Sequence, residues 1–133
     1  MNKNDLLAID QTDKFEKDIV QNHFDKTDRK ILKLILSQIK GNEENYLFDF
    51  KELENLGFDL QTNEKELFNS LKKIASYYIS IQNGDGDMHQ LGLIHNKFTI
   101  DKEMKILSLK VHKELVPFLN GLKHQYSFKQ IEE

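Results

Sequence analysis

The chain has 133 residues, 38% hydrophobic and 31% charged, with nine Phe, four Tyr, no Cys and a net charge of −3. That is one domain's worth of chain with enough apolar material for a core, and the missing cysteines exclude disulfides and thiolate zinc sites. No apolar run approaches the roughly 18 residues of a membrane span and residues 1–5 open no signal-peptide apolar region, so a cytoplasmic protein is expected.

Residues 1–24 mix acids and amides with scattered apolar positions (Leu6, Leu7, Ile9, Phe15, Ile19, Val20, Phe24) without a sustained period, and read as an N-terminal arm. Thr27 is placed to cap a helix whose apolar residues Ile31, Leu32, Leu34, Ile35, Leu36 and Ile39 recur at 3.6 spacing, and Gly41-Asn42 ends it. After a polar loop, Tyr46-Leu47-Phe48 suits a short strand. Asp49 can cap a brief helix over 50–56 that turns Phe50, Leu53 and Leu56 inward and stops at Gly57. A turn over 58–62 leads to Asn63, which can cap the next helix with Glu66 reaching back in a capping box. Leu67, Phe68, Leu71, Ile74 and Ala75 form the buried stripe of that helix. From Tyr77 the period changes to two: Tyr77, Ile79 and Ile81 alternate with polar neighbours before the turn Asn83-Gly84-Asp85-Gly86-Asp87. Residues 88–94 and 97–100 return antiparallel, 101–103 turn again, and 104–111 alternate as a further strand, which makes a meander. Pro117 lies within 113–123, where it either starts a helix in its first turn or interrupts the chain, and 126–133 read as the beginning of a helix.

Helix, short strand, two helices meeting at a turn and then strands predict an α+β fold, a winged helix-turn-helix with a small antiparallel sheet. It occupies residues 25–112, with the arm at 1–24 before it and a C-terminal segment at 113–133.

Net negative charge argues against coating nucleic acid by bulk electrostatics, but the charge is unevenly spread. Residues 1–63 carry 9 Lys/Arg against 13 Asp/Glu, whereas residues 65–129 carry 10 Lys against 6 Asp/Glu. A phosphate-facing surface is therefore expected in the second half. Lys65, Asn69 and Lys72 stand at i, i+4 and i+7 on the helix after Asn63, with Lys73 adjacent, so they share one polar face. Lysines position a backbone more than they read bases, and an ordinary solvated helix face is the competing reading. The expected wing tip, residues 83–87, is acidic and would repel phosphate. Asp85, Asp87 and His89 are too few for a calcium loop and suit turn chemistry, Glu43-Glu44 suit a solvated loop, and the five histidines read as surface or half-buried residues without metal spacing. For self-association, Tyr77, Ile79 and Ile81 on one strand and Lys105, Leu107 and Leu109 on another mark a sheet edge that a second copy could extend, unless Lys105 and Lys110 keep it solvated. With no glycine-rich phosphate loop, no cysteine nucleophile and no Ser/His/Asp grouping, neither an enzyme nor a cofactor is expected.

Two stretches carry a resemblance. Lys26-Thr27-Asp28-Arg29-Lys30-Ile31-Leu32-Lys33-Leu34-Ile35-Leu36-Ser37-Gln38-Ile39 is similar to the first conserved block of plasmid replication initiators, the iteron-binding, theta-replicating kind. Leu115-Val116-Pro117-Phe118-Leu119-Asn120-Gly121-Leu122-Lys123-His124-Gln125-Tyr126-Ser127-Phe128 resembles the family's stretch after the last strand of its first winged helix. The resemblance spans residues 25–133. It implies the first of two winged helices, the second of which, absent here, supplies most base-specific contacts in the family. The first domain would carry the dimer interface and backbone contacts to the iteron. The implied partners are double-stranded origin DNA, a second copy and host replication proteins. A winged-helix transcription regulator, or a module that binds only protein, stands as the alternative.

Overall fold

The computed structural model describes residues 24–41, 43–82 and 84–125. The arm expected over 1–24, apart from Phe24, and the helix start expected over 126–133 lie outside them.

The first helix, α1 (Lys26–Gln38), is capped by Asp25 and not by Thr27. Asp25 accepts the Asp28 amide at 2.9 Å and Asp28 accepts the Asp25 amide at 3.1 Å, so two orphan donors are satisfied reciprocally. Two carboxylates at the positive end of the helix dipole outcompete one neutral hydroxyl. The far end also differs: Ile39 turns extended to bury its side chain in the core, and Gly41 takes φ 52° only two residues later.

Strand β1 (Asn45–Asp49) turns Tyr46 and Phe48 inward and leaves Asn45, Leu47 and Asp49 outside. Asp49 caps α2 (Phe50–Glu54) as expected, accepting the Lys51 amide at 2.7 Å while Glu52 accepts the Asp49 amide at 3.1 Å. Asn63 precedes α3 (Glu64–Ala75) without capping it through its side chain, which instead donates to the Glu66 carboxylate at 2.7 Å. Leu67, Leu71, Ile74 and Ala75 are buried as the periodicity predicts. Phe68 is not: it stands at the margin of the buried stripe, exposed, and tilts against Phe98 at 5.3 Å.

The strands after α3 do not form one meander. Strands β2 (Tyr78–Gln82) and β3 (Met88–Gly92) make a hairpin of their own, whereas β4 (Thr99–Asp101), β5 (Ile106–Lys110) and β1 form a three-stranded antiparallel sheet in the order β1-β5-β4. The register aligns Tyr46 with Leu109 and Phe48 with Leu107, so the inward residues of β1 and β5 share one buried face. This changes the surroundings of the residues expected at a dimer edge. β5 is the central strand with both sides paired, Leu107 and Leu109 are in the core of their own chain, as are Tyr77 and Ile79, Ile81 packs against that core, and Lys105 sits in the β4–β5 turn with φ 56°.

A 3-10 turn (Lys113–Leu115) leads into α4 (Val116–Gln125), in whose first turn Pro117 costs no hydrogen bond. Leu115, Val116, Phe118, Leu119 and Leu122 enter the same core as α1 and the sheet, and Lys123 donates to the Ile39 carbonyl at 2.7 Å. Helix, strand, two helices and an antiparallel sheet closed between its first and last strands constitute an α+β winged helix-turn-helix. Among the described residues no helix is long and apolar enough to cross a membrane.

Candidate nucleic-acid interface

Burial of one stripe of α3 leaves the opposite face outside, and Lys65, Asn69 and Lys72 are exposed there. They do not all have the same surroundings. Asn69 lines a shallow polar cleft of about 150 Å³ together with Asp25, Asp28, Glu66, Ser70 and Lys73, so that flank of the helix is acidic. Lys73 belongs to this cleft. Its Nζ donates to Asp28 Oδ2 at 2.6 Å and lies 3.8 Å from Asp25, so it fastens α3 to the start of α1 and is no longer a free cation for phosphate. The hydrogen bond to Asp28 raises the Lys73 ammonium above its ordinary 10.5 against the opposing effect of burial. For Asp28, burial is the largest influence and acts upward. Hydrogen bonds from Lys73 and Ser70, the Asp25 amide and the charge of Lys73 together outweigh it and hold the carboxyl below 3.8.

On the other flank Glu64, at the first position of α3, is paired with Lys102 of the β4–β5 turn at 2.8 Å. Phe68, one helical turn on, contacts Phe98 just before β4. The β4–β5 turn is thus moored along the side of α3 that adjoins Lys65 and Lys72. It is built by Asp101, whose carboxylate accepts the Glu103 and Met104 amides at 3.1 and 3.0 Å, and its base is tied to α2 where Lys105 O accepts the Phe50 amide at 3.0 Å.

The strand order changes which hairpin serves as the wing. The turn that joins the two last strands of the three-stranded sheet carries Lys102 and Lys105, whereas the acidic residues Asp85 and Asp87 belong to the separate β2–β3 hairpin. Sequence reasoning placed the wing at 83–87 because that turn has the stronger glycine signal. The strands and turn of β4–β5 are legible at 97–111, but that they join the sheet of β1 is not, since it depends on β5 pairing with β1. Arg29, the chain's single arginine, is 8% exposed, so no guanidinium fork stands on the surface for bidentate base reading. The cationic residues outside are lysines, suited to phosphates.

Residues 10–133 match a protein-family model described as Initiator Replication protein, WH1. No curated protein matches the chain.

Proposed function

The chain belongs to the initiator replication protein family as its WH1 domain, and on that premise we propose that it is the N-terminal winged helix of a plasmid initiator, contacting the DNA backbone at origin iterons and dimerising. The observation that carries the DNA part is the set of exposed lysines, Lys65 and Lys72 on α3 and Lys105 on the β4–β5 turn, which Lys102 moors to α3 through Glu64. Each of these three lysines can neutralise one phosphate, and none reads a base, which suits a domain that positions while specificity lies elsewhere. The role needs no catalysis and no cofactor, and it belongs to the cytoplasm, where a plasmid resides.

Because such contacts tolerate sequence, a labelled duplex of mixed sequence is a sufficient probe. Wild type should lose affinity steeply between ~50 and ~200 mM salt. The Lys65→Ala/Lys72→Ala pair should lower the salt slope by about 2 and weaken binding about equally on any sequence. A folded double variant with the wild-type slope would remove α3 from the interface. No binding by wild type even at low salt would favour the protein-interaction alternative.

Dimerisation finds its support at β1. The β1-β5-β4 order leaves the outer side of β1 unpaired by any described strand, and Leu47 on it is 68% exposed. A free edge is where the backbone of a second copy adds a strand, and Leu47, on the outward face of β1 beside that edge, would give the added strand an apolar neighbour. Leu47→Lys should shift the mass in solution toward monomer, raising the dimer dissociation constant by roughly tenfold or more. An unchanged mass-versus-concentration curve would place the contact elsewhere.

A further inference from the structure

His95 and His112, 17 positions apart in sequence, stack with ring centroids 3.9 Å apart and planes 28° apart. Both are partly buried. His95 follows β3, and its amide donates to the Lys110 carbonyl at the end of β5 at 2.8 Å. His112 is the residue where the chain leaves β5 for α4: its neighbour Val111 donates to Glu44 O at 2.8 Å, and its own carbonyl accepts the Leu115 amide at 2.9 Å to start the 3-10 turn. The stack therefore joins the β3–β4 connection to the root of the C-terminal helix. Near-parallel rings direct their lone pairs side by side, not at one point, and no group of three metal-ligating side chains exists among the described residues.

We propose that the His95–His112 stack is an acid-sensitive latch: neutral rings fasten the β3–β4 connection to the root of α4, and protonation of the pair releases it. Two imidazolium charges at this separation, partly removed from water, repel each other. Burial and two neighbouring groups decide the balance at His112. Burial is the largest and opposes its charging, His95 from the β3–β4 connection opposes it too, and Glu114 on the 3-10 turn favours it. The net effect holds His112 below its ordinary 6.5. Glu44, just before β1, brings a backbone carbonyl to the neighbouring Val111. A base depressed in the folded state contributes stability that is complete above pH 6.5 and is lost as the pH falls from there through the folded value.

Ring-proton titration by NMR, with amide exchange on the same samples, tests the latch. In the wild type the His112 midpoint should lie below 6.5, and His95→Asn should move it upward, because only burial then opposes protonation. Exchange at the Leu115 and His95 amides, corrected for its intrinsic pH dependence, should accelerate by up to roughly tenfold per pH unit as the pH falls from 6.5 toward the His112 midpoint, and level off below it. It should accelerate far less in a folded His95→Asn/His112→Asn chain, where nothing at the junction titrates. An unmoved His112 midpoint in His95→Asn, or equal acid acceleration in wild type and double variant, overturns the proposal. Should the double variant fail to fold, the single-variant midpoint decides alone.

Discussion

Gly92→Ala should destabilise the domain by about 3 kcal/mol or more, enough to unfold a marginal chain. Gly92 ends β3 where the strand passes over the last turn of α3, and a Cβ there would overlap the Ala75 carbonyl oxygen and stand 3.0 Å from Ile94 O. Both obstacles are backbone, which cannot rotate aside as a side chain would. The alanine can be admitted only by moving the hairpin off α3, which would break the Leu93 amide to Tyr77 carbonyl bond of 3.1 Å and uncover Leu93 and Ile94. Urea unfolding measures the loss, and Gly121→Ala supplies the control. Gly121 lies within α4 with open space where its Cβ would go, so the same chemical change there should raise stability by about 0.5–1 kcal/mol. Equal midpoints for the two variants would mean that the close approach at Gly92 does not constrain the fold.

The second large effect is expected at Asp28. Asp28→Ala removes the return half of the α1 capping box and the acceptor of Lys73, and leaves Ser70 buried without that partner. A fully buried ion pair broken on one side costs about 3–5 kcal/mol, but the Lys73 side chain is 44% exposed and water recovers part of its charge, so about 2 kcal/mol is expected. The sign with pH follows from both partners. Asp28, held below 3.8 in the fold, contributes stability that is complete above that pH and is lost as the pH falls below it. Lys73, raised above 10.5, contributes stability that is complete below that pH and is lost as the pH rises through its folded value. Unfolding free energy plotted against pH should therefore be flatter on both flanks in Asp28→Ala than in wild type. A variant parallel to wild type at every pH would show that the pair is not what couples α1 to α3. Because this pair holds the lysine-bearing helix against α1, the same variant should also weaken duplex binding without removing any phosphate contact.

Where local chemistry decides, the sequence was readable. The apolar period of α1 and α3, the cap at Asp49, the aromatic strand at Tyr46–Phe48 and the exposure of Lys65 and Lys72 each follow from residues within a few positions of one another. Thr27 lost the cap to Asp25 because the acidic pair Asp25 and Asp28 makes a reciprocal box, whereas Phe68 left the core stripe to meet Phe98 and Lys73 turned from phosphate to Asp28 because a partner from another element changed the balance.

By itself, then, the sequence determined the element types, the absence of thiol chemistry and the resemblance to replication initiators. It also set a lysine surplus in the second half. Only the tertiary structure decided that β5 lies between β1 and β4, which buried Leu107 and Leu109, opened the edge at Leu47 and gave the wing to the lysine-bearing β4–β5 turn. Period-two alternation says which face of a strand is buried and nothing about which strand lies beside it. Pairing is settled by contacts between residues more than 50 positions apart, such as Phe48 with Leu107, whose energy appears only when the chain closes on itself.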